Sequence, residues 1–216
     1  MAKAISNKNV ADAKFNPAPF EGAFKAALGR PELKGSWLIF GNSGAGKTTF
    51  ALQLAKYLTN FVDKVAFDSL EQGLSLSLQK AWNRVGMEAV GAKVILLDKE
   101  GIPELRDRLA KRKSPNVVII DSVMCLIGLR MSDYQKLVND FPNKLFVFLA
   151  HEDDKGKPSP AIAEKIRKLS DIKMHVEGYK VFTTTRFEDR DKGEGGEDFV
   201  TVSYTHLRAH ETTLHL

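Results

Sequence analysis

The chain alternates short, almost wholly apolar runs with longer segments whose apolar residues recur every three or four positions. The short runs are SWLIF (36–40), KVAF (64–67), KVILL (93–97), NVVII (116–120) and KLFVFLA (144–150). A strand that is apolar on both faces is buried between two layers, as in a parallel sheet. The longer segments predict helices over 47–58, 74–85, 102–113, 132–141 and 161–169, with Gly-Ile-Pro opening the third. A short helix is expected at 21–28, after the extended stretch Asn16-Pro-Ala-Pro. DIKMHVE (171–177) and YKVFTTTRF (179–187) read as a hairpin turning at Glu177-Gly178. Together these elements predict an α/β fold: a three-layer sandwich with a mostly parallel sheet and a C-terminal antiparallel hairpin. In such sheets ligands sit beyond the carboxyl ends of the strands. Chemistry is therefore expected after Phe40, Phe67, Leu97, Ile120 and Ala150.

Composition narrows the class without naming a chemistry. The 216 residues are 43% hydrophobic and 27% charged, an ordinary globular balance. No apolar run approaches the ~20 residues that cross a bilayer, and the N-terminus lacks the apolar core of a secretory signal, so a cytoplasmic protein without membrane contact is expected. The single cysteine, Cys125, excludes an internal disulfide and reads as a buried structural thiol in VMCLIGL. The formal charge of +5 weakly favours a polyanionic partner. The domain organisation expected is an N-terminal extension over 1–34, one domain over 35–202 and a tail over 203–216. The tail, SYTHLRAHETTLHL, has no periodicity or capping logic and resembles translated sequencing-adapter sequence. It is expected to be non-native, with the natural C-terminus missing. His206, His210 and His215 within it are not read as a metal site.

The most informative stretch follows Phe40. GNSGAGKTT runs from Gly41 through Asn42, Ser43, Gly44, Ala45, Gly46, Lys47 and Thr48 to Thr49 and fits G-x-x-x-x-G-K-[ST], with a predicted strand before it and a helix after it. Glycines let backbone N–H groups wrap a phosphate, and the helix adds its positive N-terminal end. Lys47 is expected on the outer phosphates and the Thr48 hydroxyl on magnesium. The expected ligand is therefore ATP with Mg2+; no guanine-reading Asn/Thr-Lys-x-Asp motif is present. Of three strand-end aspartates, Asp68, Asp98 and Asp121, the last ends the most apolar strand and is assigned to the metal side of the site. Glu71, in DSLEQG, is placed to accept a proton from an attacking water. His151, after the fifth strand, is placed to sense the terminal phosphate, and Arg186, after the last strand, to act as a finger on a neighbouring subunit. Glu152, Asp153 and Asp154 beside Lys155 and Lys157 read as a solvated loop.

These pieces, GNSGAGKTT, AFDSLEQG, VVIIDSV, FLAHE and TTTRF, resemble the RecA/RadA-like branch of P-loop ATPases over about Gly35 to Phe187. The resemblance implies a RecA-like sheet and an assembly into rings or filaments. It implies Glu71 as catalytic base, Asp121-Ser122 as the end of the Walker B strand, His151 as the γ-phosphate sensor and Arg186 acting in trans. One departure is Thr184, where the family has the lysine of a Lys-x-Arg pair. The chain looks most like small phage-type RecA-core proteins of recombination, single-strand annealing or replication. That implies a DNA-stimulated ATPase holding single-stranded DNA along Lys155 to Lys168. Two other classes remain open at this point: a P-loop kinase acting on a small metabolite, and a nucleotide-gated assembly module with little turnover.

Overall fold

A computed structural model describes residues 4–200. The core strands are β1 (Gly35–Gly41), β2 (Val65–Ser69), β3 (Val94–Leu97), β4 (Val117–Asp121) and β5 (Leu145–Glu152). They are followed by a two-residue strand β6 (Pro158–Ser159), the hairpin β7 (Ile172–Glu177) and β8 (Lys180–Thr185), and β9 (Phe199–Val200). The helices are α1 (Asn7–Ala11), α2 (Gly22–Leu28), α3 (Lys47–Leu58), α4 (Leu76–Val85), α5 (Ile102–Leu109), α6 (Met131–Asp140) and α7 (Ala161–Leu169). One sheet runs in the order β3-β2-β4-β5-β1-β7-β8-β9, with β6 attached to β5. Pairings from β3 across to β7 are parallel; those of β7 with β8, β8 with β9 and β5 with β6 are antiparallel. The α/β sandwich with a terminal hairpin is therefore present as the residue pattern requires.

The apolar strands are double-sided because the sheet has helices on both faces. Successive side chains alternate between the faces. Trp37 and Ile39 of β1 join one core with Phe50, Leu54 and Leu58 of α3, while Leu38 and Phe40 join the other with Leu105 of α5, Leu137 of α6 and Ile166 of α7. β1 is central, opposing β5 from Gly35↔Leu145 to Gly41↔His151 and β7 from Trp37↔Ile172 to Phe40↔His175. Its carboxyl end is the one from which the phosphate-loop sequence departs.

Element ends follow local chemistry. α4 starts at Leu76 rather than 74 because the Ser75 hydroxyl caps it, accepting from the Leu78 N–H at 3.2 Å. It ends on Gly86 in the left-handed conformation. α5 stops at Leu109, short of the expected 113, and Lys113 itself has φ 61°, which no helix continues. α1 and β6 carry too few residues for periodicity to reveal them. Cys125 is only partly buried, in a single 3-10 turn after β4. The expected non-native tail, with His206, His210 and His215, lies outside the described residues.

Asp68, at the end of β2, shows what the sheet does to an isolated carboxyl. It is 1% exposed; its Oδ1 accepts from the Glu100 N–H at 3.1 Å and its Oδ2 has no hydrogen-bond partner. Burial pushes its pKa up to about 7, against the Glu100 N–H, which lowers it. A carboxyl raised in the fold contributes fully below its unfolded pKa of ~4, and that contribution is lost as pH rises towards the folded value. Asp68→Asn removes the charge that must be buried above that range. The variant is expected to melt several degrees higher at pH 8, at about 3 °C per kcal/mol for a chain of this size. The gain should shrink towards zero by pH 4, and thermal unfolding followed by circular dichroism across pH checks the sign.

Candidate phosphate-binding site at the carboxyl edge of the sheet

The loop between β1 and α3 is shaped by what surrounds it. Gly41 lies so close to β7 that a Cβ there would fall 2.1 Å from the Val176 carbonyl oxygen. Glycine is thus required by packing as well as by any ligand. Gly46, at φ 101°, is the residue before α3, and no side chain caps the helix. The first N–H groups of α3 therefore remain free of side-chain caps, as an anion site requires. Asn42, Ser43 and Gly44 are exposed, while Ala45, Gly46, Thr48 and Thr49 are half-buried.

Lys47 is 7% exposed and reaches back along the loop, its Nζ donating to the carbonyls of Gly41 at 2.9 Å and Asn42 at 2.7 Å. Burial lowers its pKa, and the carboxylates of Asp121, Glu71 and Glu152 oppose that shift. Thr48 Oγ1 donates to Asp121 Oδ2 at 2.9 Å, tying the start of α3 to the end of β4. A hydrogen bond to a charged acceptor contributes about 1.5–3 kcal/mol. Asp121 is 3% exposed, and burial raises its pKa to about 6, while the Thr48 hydroxyl pulls it down.

Glu71 sits just past β2, its N–H donating to the Asp121 carbonyl at 3.0 Å. Its Oε2 accepts from Ser122 Oγ at 3.1 Å and lies 3.0 Å from His151 Nε2. Burial would raise its pKa, but the His151 contact, Ser122 and Lys47 together hold it below the ordinary glutamate range. The carboxylate is therefore ionised at neutral pH and 40% exposed, open to a water. The ends of β1, β2, β4 and β5 thus bring Lys47, Thr48, Glu71, Asp121, Ser122 and His151 into one cluster.

The donor set fits magnesium. The Thr48 hydroxyl and Asp121 carboxylate are adjacent hard oxygens, and the raised pKa of Asp121 marks a buried carboxylate lacking compensating charge. Among the described residues no group of three or more His, Cys, Asp or Glu is gathered to hold a metal. A magnesium ion here would share its ligands with nucleotide phosphates.

The other strand-end aspartates have structural roles. Asp68 is buried as described, and Asp98 Oδ1 accepts from the Leu74 N–H at 3.1 Å, bracing the loop before α4. Arg186 lies apart from the cluster. It follows β8, whose last residue, Thr185, pairs with Ile172 at the amino end of β7, so it stands at the edge of the sheet opposite the loop. There it pairs with Asp171 at 3.2 Å. Glu152 departs from the solvated-loop reading. It ends β5, its side chain is 5% exposed, and it meets His175 Nε2 at 2.6 Å. The resemblance marked Ser122 only as the second residue of the Asp121-Ser122 pair, without a role of its own, and nothing local marked His175.

A cleft of about 1000 Å3 opens between α5 and the segment after β4, lined by Leu70, Ile102, Arg106, Leu126, Ile127 and Leu129 among others. No residue of the phosphate loop lines it. No helix among the described residues is long and apolar enough to cross a membrane.

Known structures share this fold. The sheet superposes on a solved ATPase domain with a TM-score of 0.57 at 15% identity, covering 80% of this chain and 84% of that one. The flagellar accessory protein FlaH from Methanocaldococcus jannaschii gives 0.55 at 16% identity, covering 82% and 89%. A KaiC-like protein from the hyperthermophilic archaeon Pyrococcus horikoshii OT3 gives 0.54 at 21% identity, covering 78% and 84%. These identities speak to the fold alone, which is the RecA-like one. No curated protein sequence matches the chain. The family model for ATPases associated with various cellular activities matches residues 37–186, from the strand that carries the phosphate loop to the end of the hairpin. The chain is a RecA-like P-loop protein and belongs to that ATPase family.

Proposed function

We propose that the chain binds ATP with magnesium at Gly41 to Thr49 and hydrolyses it, with Glu71 as the proton acceptor. The observation that carries this reading is the Glu71 carboxylate, held ionised between Ser122 and His151 at the end of the strand next to Asp121. Water attacks the γ-phosphorus and yields a proton to Glu71, and the bond to the β–γ bridging oxygen breaks, leaving ADP and inorganic phosphate. Lys47 holds the outer phosphates, and His151 orients Glu71 while lying where a terminal phosphate can be sensed. Magnesium, held by Thr48 and with Asp121 beside it, would supply charge neutralisation on the phosphates. A proton acceptor beside the loop supports water as the acceptor of the phosphoryl group over a second metabolite.

The nucleic-acid part of the reading rests on exposed Lys155 and Lys157, carried on a tight turn directly after β5. The turn closes on Asp153, whose Oδ1 accepts from both lysine N–H groups at 2.9 Å. Its position links a phosphate-sensing strand to a surface suited to single-stranded DNA phosphates. Farther along α7, Lys165 and Lys168 are exposed, but Glu164 binds Arg167 at 2.7 Å and approaches Lys168 at 4.0 Å, reducing the positive field. Arg186 joins the reaction only across a contact between copies of the chain, which ties this reading to a ring or filament.

Lys47→Ala is expected to weaken ATP binding by at least about tenfold, the scale of one lost charge-assisted contact. Equilibrium titration with a fluorescent ATP analogue reads this, and unchanged affinity would sink the assignment. Glu71→Gln should lower kcat by about 100- to 10,000-fold while nucleotide affinity is kept; an unaltered rate would favour a gated module. Single-stranded DNA should stimulate phosphate release by the wild type. Replacing Lys155 and Lys157 together by alanine should abolish the stimulation and leave the basal rate, and stimulation that survives would remove the turn from the DNA surface.

A further inference from the structure

The two residues that end β5 are held from opposite faces of the sheet. Leu145, Val147 and Leu149 face α3, while Phe146, Phe148 and Ala150 face the other helical layer. Continuing that alternation puts His151 on the α3 side and Glu152 on the other. His151 contacts Glu71 at 3.0 Å; Glu152 contacts His175 of β7 at 2.6 Å.

The second contact spans an unusual distance for a sheet. β5 and β7 are not neighbours, because β1 runs between them. Strands two apart are separated by about 10 Å, a gap that only long side chains meeting end to end can close. Glu152 and His175 do so beside Phe40, the residue preceding the phosphate loop and the β1 partner of His175. The His175 ring stacks on Phe40 with centroids 4.8 Å apart, and Phe182 of β8 lies 6.1 Å beyond. The Glu152 side chain is 5% exposed and that of His175 27%. The bridge is therefore largely desolvated, which penalises its opening. β5, β1 and the hairpin are locked together at the level of Gly41.

We propose that Glu152 and His175 are positioning residues for hydrolysis. The bridge adds to the pairings of His151 with Gly41 and Ser159 and of Glu152 with Pro158 in holding the last stretch of β5, so that His151 holds the Glu71 carboxylate at the angle the attacking water needs. This rests on the reading of Glu71 as proton acceptor. Loss of the bridge leaves those pairings but loosens the His151–Glu71 contact and lowers turnover, while the phosphate loop, carried by β1 and α3, still binds nucleotide.

The test uses the full chain with 15N-labelled histidine and two readouts. The imidazole signals of His151 and His175 are assigned with His151→Gln and His175→Gln, and Glu71→Gln defines where the His151 signal moves once its carboxylate partner is gone. In His175→Ala and Glu152→Ala the His151 signal should shift towards that position. kcat should fall roughly tenfold in both, and in His175→Ala, which keeps the Glu152 charge near Lys47, the ATP dissociation constant should stay within about twofold of wild type, the scale seen when an outer-shell partner of a catalytic group is removed. His175→Gln keeps an N–H for Glu152 and should recover most of both readouts, which also guards against a variant that fails to fold. An unmoved His151 signal overturns the proposal, as does a loss of kcat that is matched by equal losses in ATP affinity and melting temperature. If the wild type binds ATP without turnover, the hydrolysis reading fails, and the His151 signal still decides whether the bridge positions it.

Discussion

The structure depends on charges buried at the end of an apolar sheet. β1 and β4 are almost wholly apolar, and where they stop the chain must place Lys47 and Asp121 with little water to solvate them. An unpaired charge in such a place costs several kcal/mol. The chain offsets that cost by packing one cation among three carboxylates and by committing two hydroxyls, Thr48 to Asp121 and Ser122 to Glu71. The balance is incomplete. Asp121 keeps a raised pKa and Lys47 a lowered one, because burial outweighs the compensation their neighbours supply.

The fold makes this arrangement repeatable by topology. A parallel sheet aligns all its carboxyl ends on one edge, so residues far apart in sequence become neighbours without any loop reaching far. β1 is central, and its carboxyl end is hemmed in by β5 on one side and β7 on the other. The Val176 carbonyl beside Gly41 and the His175 ring on Phe40 show how tightly the hairpin is set against the phosphate loop. The hairpin thus belongs to the site as well as to the sheet's closure.

Two glutamates whose charges act on Lys47 illustrate how environment divides roles. Glu71 is partly exposed and held ionised by donors on two sides, which suits proton transfer to and from water. Glu152 is nearly dry and committed to one histidine, which suits mechanical linkage. Their residue type is the same; solvent access and partner geometry separate them.

The sequence by itself determined the layered architecture, because apolar runs without alternation can only be buried strands and a 3.6-residue rhythm can only cover them. It determined α3 and α7 to the residue, and it determined the phosphate loop, since glycine, lysine and threonine at that spacing carry local backbone and charge requirements. The choice of Asp121 among three strand-end aspartates followed from the apolarity of its own strand. Tertiary structure alone decided what those local signals leave open. It set the strand order that puts β1 between β5 and β7, the desolvation that distinguishes Asp68 from Asp98, and the opposite edge on which Arg186 falls. It also turned Glu152, one acid in an apparently solvated run, into a buried partner of His175. Those outcomes depend on long-range register, and register is a property of the assembled sheet that no short stretch of sequence contains.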